Sequence, residues 1–158
     1  MSEIKNLHPD PRCLRVRDTW NAAMQQVGEK YRYELTDGKQ AGSVACWRPL
    51  SNQDFSGKIL YARITSDINT VFDNLSIEFA TTIAKEGTWI ASRVGGNDTR
   101  NHAIFVTSGP FVLQEVGCYT PDDWEQLYAL YQKGDITYPW VAGPRNATAA
   151  GEKGPWEL

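Results

Sequence analysis

Cysteine and histidine are scarce in this sequence. Its 158 residues include three cysteines, Cys13, Cys46 and Cys118, with no CxxC pair, and two histidines, His8 and His102. Zinc ribbons and disulfide frameworks need paired cysteines, and a histidine metal site needs two or more ligands brought together. We therefore expect no metal site, and we interpret the cysteines as buried apolar thiols and His8 as part of a helix entry.

The motifs of several common enzyme classes are also missing. The sequence contains neither a GxxxxGK[S/T] phosphate loop nor a GxSxG nucleophile elbow. Gly95-Gly96 precedes a predicted strand, whereas a dinucleotide-binding turn would open a helix. We therefore expect no cofactor. Small β-rich enzymes that work with Tyr, Glu, Arg and bound water remain open.

Positive charge and long apolar runs are equally limited. The net charge is -3 and no basic stripe is present, so we expect neither a nucleic-acid partner nor attachment to an anionic membrane. No apolar run approaches the roughly 20 residues that span a bilayer. The N-terminal residues lack the apolar core of a signal peptide. These patterns predict a soluble, cytoplasmic protein.

Large aromatic residues, by contrast, are abundant, with six Trp, seven Tyr and five Phe. Disordered chains lack such groups, and the length favours one domain. We expect that domain to span residues 1–141 and residues 142–158 to form a loosely packed tail.

The first helical signal lies near the N-terminus. Asp10 is a typical N-cap and Pro11 suits the first helical position. Apolar residues then recur at helical spacing as far as Val27, and Gly28 is a typical helix end. The sequence therefore predicts an amphipathic helix from about Pro11 to Val27.

The apolar period changes to two in the middle of the chain. Alternating segments bounded by turn residues follow one another with no helix between them, which is typical of an antiparallel sandwich or barrel. The predicted strands, about seven in number, span residues 31–35, 43–47, 58–66, 75–83, 88–94, 102–108 and 111–116.

A second helix is predicted over Pro121 to Lys133. Thr120 can act as N-cap, with Asp123 as the acid of a capping box. Trp124 begins an apolar stripe, and Gly134 ends the helix. We expect this helix to pack on the sheet, which makes the fold mainly β with one helix near each end.

Several polar side chains fall inside the predicted strands. A mid-strand arginine that is buried must be paired or must meet an anionic ligand. Glu78 is one possible partner, and solvent is the other alternative. If a cavity forms, the ligand-binding candidates are Arg63, Arg93 and Gln114, and the proton-transfer candidates are Tyr61, Glu78 and His102.

Residues 87–94, followed by His102-Ala103 and residues 107–112, resemble the C-terminal sandwich of CehA/McbA-like proteins. That region has a Gly-Trp-Ile-Ala-x-Arg strand followed by a His-Thr-x-Pro strand. Trp20 and Gly38-Lys39 also resemble its entry. The resemblance implies a β-sandwich with a packed C-terminal helix. The metal-dependent hydrolase domain of those proteins has no counterpart in these 158 residues, so no catalytic residue is carried over.

Two functions are therefore expected from the sequence. The first is a non-enzymatic binding or assembly module that forms homo-oligomers, because short strands leave edges to protect. The alternative is a cofactor-independent lyase, isomerase or cyclase acting on a small anionic molecule. A cavity lined by the candidate residues favours the enzyme, and a packed interior favours the module.

Overall fold

The computed structural model describes residues 3–8, 12–14, 19–47, 55–65, 71–72, 79–83, 87–97, 102–106, 110–141 and 145–146. Over these residues the chain forms twelve strands and one helix. The elements are β1 (Glu3–Ile4), β2 (Thr19–Trp20), β3 (Ala22–Val27), β4 (Lys30–Leu35), β5 (Gly42–Trp47), β6 (Ile59–Thr65), β7 (Val71–Phe72), β8 (Phe79–Ile83), β9 (Gly87–Arg93), β10 (His102–Val106), β11 (Phe111–Tyr119), α1 (Pro121–Gln132) and β12 (Arg145–Asn146).

The seven predicted strands correspond to β4, β5, β6, β8, β9, β10 and β11. The other five are β3 and four strands of two residues each. Such short strands leave no apolar alternation in the sequence, because the pattern needs about four residues to be visible. The mainly β prediction is confirmed.

All strand pairs are antiparallel and form three sheets. The largest has the order β3-β4-β11-β6-β9-β8, the second has the order β2-β5-β10-β7, and β1 pairs with β12. The end strands of the six-stranded sheet are not paired with each other in the described part of the chain, so this sheet does not close on itself there. β12 places residues 145–146 of the predicted tail against β1, and most of that tail lies outside the described residues.

One hydrophobic core lies between the two larger sheets. Val44 and Ile104 contribute from the four-stranded sheet, and Tyr33, Leu60 and Phe111 contribute from the six-stranded sheet. The two sheets therefore face each other across a shared apolar layer. The three cysteines are buried in this core as free thiols.

The helix packs on the opposite face of the six-stranded sheet. Trp124, Leu127 and Leu130 are buried there, and Trp89 and Tyr119 meet them from the sheet. A second core therefore lies between sheet and helix. No helix in the described ranges is long and apolar enough to cross a membrane.

The predicted N-cap of the C-terminal helix is confirmed, whereas the Asp123 carboxylate accepts from the backbone N–H of Lys5. The Thr120 side chain accepts a hydrogen bond from the Asp123 backbone N–H at 3.2 Å, and Pro121 occupies the first turn. Gly134 has a φ of +83°, a conformation that favours glycine at a helix end.

The predicted N-terminal helix is wrong over residues 19–27, which form β2 and β3. Asn21 has a φ of +54°, which no right-handed helix accommodates, and β3 pairs along its whole length with β4. Gly28 makes the turn of this hairpin and does not end a helix. Pairing with a neighbouring strand overrode the helical spacing of the apolar residues, of which Trp20, Met24 and Val27 are exposed here. Asp10 and Pro11 lie outside the described residues.

Candidate functional site

Three adjacent strands bring Glu115, Arg63 and Trp89 into one row on the helix-covered face. Glu115 pairs with Arg63 across β11 and β6, and Arg63 pairs with Trp89 across β6 and β9. Directly opposed residues of antiparallel strands present their side chains on the same face. In the next row Tyr61 lies opposite Gly117. The row therefore places a carboxylate, a guanidinium group and an indole ring beneath the helix.

A bulge in β11 creates this row. Leu113 pairs with Ile64 and Glu115 pairs with Arg63, so Gln114 is an extra residue between the two pairs. An extra residue reverses the alternation of the side chains that follow it. Leu113 lies in the core between the sheets, and Glu115 is turned to the opposite, helix-covered face.

Glu115 is the centre of a buried polar cluster. The Tyr61 hydroxyl donates to Glu115 Oε2 at 2.8 Å, and Arg63 Nη2 donates to Glu115 Oε1 at 3.1 Å. The Tyr138 ring lies against the guanidinium, with 4.2 Å between Arg63 Cζ and the ring centroid. Glu115 is only 7% exposed, so its charge is compensated inside the protein by these two donors.

The pKa values of Tyr61 and Arg63 are shifted away from neutral pH. Burial, together with the negative charge of Glu115, raises the pKa of Tyr61 well above its usual value. Burial by itself would lower the pKa of Arg63, but the attraction of Glu115 outweighs it and the pKa is raised. At neutral pH Tyr61 therefore keeps its proton and Arg63 stays charged.

Packed aromatic rings occupy the space around the cluster. The Tyr61 and Trp89 rings stack with centroids 6.0 Å apart, and Trp89 meets Trp124 at 6.3 Å and Tyr131 at 5.5 Å. Tyr128 stacks on Trp124 at 5.6 Å. The helix-covered face around Tyr61 is thus a layer of ring-to-ring contacts.

The second half of β11 has no strand on the side away from β6 in the described part of the chain, and the N-terminal segment covers it. Asn6 Nδ2 donates to the carbonyl of Val116 at 3.0 Å, and Asn6 Oδ1 accepts from the backbone N–H of Cys118 at 3.1 Å. The Leu7 backbone N–H donates to the carbonyl of Cys118 at 2.8 Å. Asn6 and Leu7 therefore make the hydrogen bonds to β11 that a neighbouring strand would otherwise make.

The segment that follows the helix is fastened to the same place. Trp140 Nε1 donates to the carbonyl of Val116 at 2.8 Å, and Asn6 Nδ2 donates to the carbonyl of Val141 at 2.9 Å. The Tyr119 hydroxyl lies 3.3 Å from the Val141 backbone nitrogen, which donates to it. Burial raises the pKa of Tyr119 well above its usual value. Asn6 thus ties both terminal segments to β11.

Of the six predicted site residues, the structure brings Tyr61 and Arg63 together in this cluster. Arg93 is exposed at the end of β9, opposite Ile59. Gln114 is the bulge residue, and its backbone carbonyl accepts from Lys30 Nζ at 2.8 Å.

Of the proton-transfer candidates, the described part of the chain places only Tyr61 beside Arg63. His102 begins β10 of the four-stranded sheet, whereas Arg63 lies in the six-stranded sheet. Glu78 lies outside the described residues. The remaining histidine, His8, is buried and its Nε2 donates to the carbonyl of Cys46 at 2.6 Å. In the described part of the chain no group of three or more His, Cys, Asp or Glu side chains is placed to hold a metal ion.

The sequence analysis missed Glu115 and Tyr138. Alternation from Phe111 and Leu113 puts Glu115 on an apolar face, and a charged residue in that position is a signal for a bulge or a buried partner. Tyr138 follows the helix in an irregular segment and gives no comparable signal.

No protein-family model matches this chain, and neither the curated proteins nor the solved structures contain a match. The resemblance to CehA/McbA-like proteins therefore stays a prediction from residues 87–112.

Proposed function

We propose that this protein is a non-enzymatic module for binding or assembly. The observation that carries the proposal is the Arg63–Glu115 ion pair. Arg63 is the best-placed candidate to hold an anionic ligand, and its guanidinium donates to a carboxylate of its own chain at 3.1 Å. A charge that is compensated within the fold does not need a ligand to offset its burial.

The protonation states of the cluster also argue against acid–base catalysis. A general acid or base works best when its pKa lies near the operating pH. The pKa values of Tyr61 and Arg63 are both raised, away from neutrality. The hydroxyl of Tyr61 is moreover engaged with the same carboxylate as Arg63. These groups hold β6, β11 and the segment after the helix together, which is a structural role.

The exposed surface supports assembly. Trp20, Met24 and Val27 are 58%, 40% and 48% exposed, and all three lie in β2 or β3. Large apolar side chains that are exposed on these two strands form surface that association with another molecule would cover. This supports the expected homo-oligomer more directly than any feature of the polar cluster does.

Native mass spectrometry of the gently purified protein tests the proposal. We expect no small molecule to be retained, and the spectrum reports the oligomer in the same measurement. An anionic adduct that is present in the wild type, absent from Arg63→Met and retained in Arg93→Met would contradict the proposal, provided that Arg63→Met is folded. That result would favour the enzyme alternative.

A further inference from the structure

β3 is an end strand of the six-stranded sheet. It pairs with β4 on one side, and no strand in the described ranges pairs with its other side. Five of its six side chains are exposed. An open strand edge of this kind is a template for pairing with another chain.

The turn into β4 determines which backbone groups of β3 point outward. Gly28, with a φ of +66°, and Glu29 connect Val27 to Lys30 in a two-residue hairpin. The two residues that flank such a turn exchange both hydrogen bonds, and hydrogen-bonded pairs then recur at every second residue. The residues whose N–H and C=O groups point away from β4 are therefore Ala22, Met24 and Gln26.

The usual protections of an edge strand are missing from β3. Between Asp18 and Glu29 no residue is charged and none is proline. Monomeric proteins commonly guard an edge with lysine, proline or a bulge, and β3 pairs with β4 in an unbroken register. Ala22 is buried, the other five side chains of β3 are exposed, and none of the six carries a charge that would repel an incoming strand.

We infer that β3 is the site at which a second copy of this chain binds, edge to edge, in an antiparallel pair with Met24 on the two-fold axis. This inference rests on the proposed assembly function and names its partner. The three outward-facing residues are symmetric about Met24, so this register pairs Met24 with its own copy and Ala22 with Gln26. The six-stranded sheet then continues across the axis into its copy.

The absence of charge along β3 removes the repulsion that a second copy would meet elsewhere on this protein. The protein has a net charge of -3, so two copies repel each other over most surfaces. A strand that carries no charge does not repel its own copy. The register above places Glu29 opposite Thr19, so no two like charges face each other. The pairing also places Met24, which is 40% exposed, beside its own copy.

Cysteine cross-linking tests the register. In a hydrogen-bonded antiparallel pair the Cα atoms lie about 5.5 Å apart, within the range that a disulfide bridges. Met24→Cys should therefore form a covalent dimer on mild oxidation. Gln26→Cys is the matched control, because its copy lies four residues further along, about 13 Å away. The native cysteines are buried and do not compete.

A charge substitution tests the association itself by sedimentation velocity. Met24→Lys places two ammonium groups directly opposite each other, and we expect the dissociation constant of the dimer to rise at least about tenfold. Gln26→Lys adds the same charge to the same face of β3, but the two copies are separated by more than a Debye length, so the dimer should persist. Circular dichroism verifies that both variants are folded.

Three results would overturn the inference: a wild-type protein that stays monomeric up to the millimolar range, a dimer that Met24→Lys leaves intact, and cross-linking of Gln26→Cys in preference to Met24→Cys. None of these three results tests whether the protein retains a ligand. Conversely, the protein could bind an anion or turn over a substrate while Met24→Lys makes it monomeric. That pair of results would contradict the non-enzymatic proposal and leave the edge pairing intact.

Discussion

Arg63 and Glu115 are direct cross-strand neighbours, joined by a hydrogen bond of 3.1 Å between residues 52 positions apart in the sequence. The pair exists because Gln114 is an extra residue in β11, which turns Glu115 to the helix-covered face. Tyr61 donates to the other carboxylate oxygen. Alternation by itself would put Glu115 into the apolar core, and the bulge instead makes it the centre of a buried polar cluster.

Arg63→Met should destabilise the protein by about 3–5 kcal/mol, because it leaves the buried carboxylate of Glu115 without its cation. The double variant Arg63→Met, Glu115→Met should recover most of this loss, since apolar replacements of both partners remove the desolvation cost. Urea unfolding of the two single variants and the double variant gives the coupling free energy. Arg93→Met is the control, and we expect it to change the stability by less than about 0.5 kcal/mol because Arg93 is exposed. Equal losses in Arg63→Met and Arg93→Met would contradict the structural role of the pair.

Stability should fall in alkaline solution as tyrosines ionise. The pKa values of Tyr61 and Tyr119 are raised in the folded protein, mainly by burial. Their contribution to stability is therefore complete below the unfolded value of about 10 and is lost as the pH rises above it. Tyr61→Phe should make this alkaline decline shallower, as measured by thermal unfolding from pH 9 upward.

At neutral pH the same variant should lose about 1–3 kcal/mol, because Glu115 loses a donor. A steeper alkaline decline in Tyr61→Phe would show that Tyr61 does not carry this effect.

Gly117→Ala should be destabilising by about 1–3 kcal/mol. A Cβ at this position would lie 2.6 Å from Tyr119 Cε2 and 2.7 Å from the Tyr119 hydroxyl oxygen. The ring cannot move away without breaking the contacts of its hydroxyl with Val141 and Asn6. Gly96→Ala is the control, since no atom lies within 4 Å of its added Cβ. Differential scanning calorimetry that gave equal melting temperatures for the two variants would refute this account of Gly117.

Asn6→Ala should lower the unfolding free energy by about 2–4 kcal/mol. The Asn6 side chain donates to the carbonyls of Val116 and Val141 and accepts from the backbone N–H of Cys118, so its loss removes one donor from each carbonyl and the acceptor of that N–H. Hydrogen exchange at Cys118 should accelerate in the variant more than exchange at the centre of β6. Asn97→Ala, in the exposed turn after β9, should leave both measurements unchanged.

Several elements could be predicted from the sequence because their signals are local. The capping residues of α1 lie within four positions of one another, and the alternation of β6 and β9 spans seven residues in each strand. The helical spacing before Val27 was a misleading local signal. Nothing within residues 19–27 reveals that Lys30 to Leu35 pairs with this segment and draws it into a strand.

The candidate site, like the fold, could be predicted from the sequence only in part. Tyr61 and Arg63 are both candidates from the sequence, and their positions two residues apart on one strand put them on the same face. Their common acceptor, Glu115, is not a candidate from the sequence, because it depends on a one-residue bulge in a strand that is distant in sequence.

The sequence by itself determined the mainly β composition, the C-terminal helix and the presence of mid-strand charges that need a partner. Only the tertiary structure decided which partner Arg63 has, where Asn6 joins the terminal segments to β11, and which strands end the sheets in the described part of the chain. The physical reason is the range of the interactions. Caps and alternation act between neighbours in the chain, whereas register, bulges and edges are set by the pairing of strands that the sequence keeps far apart.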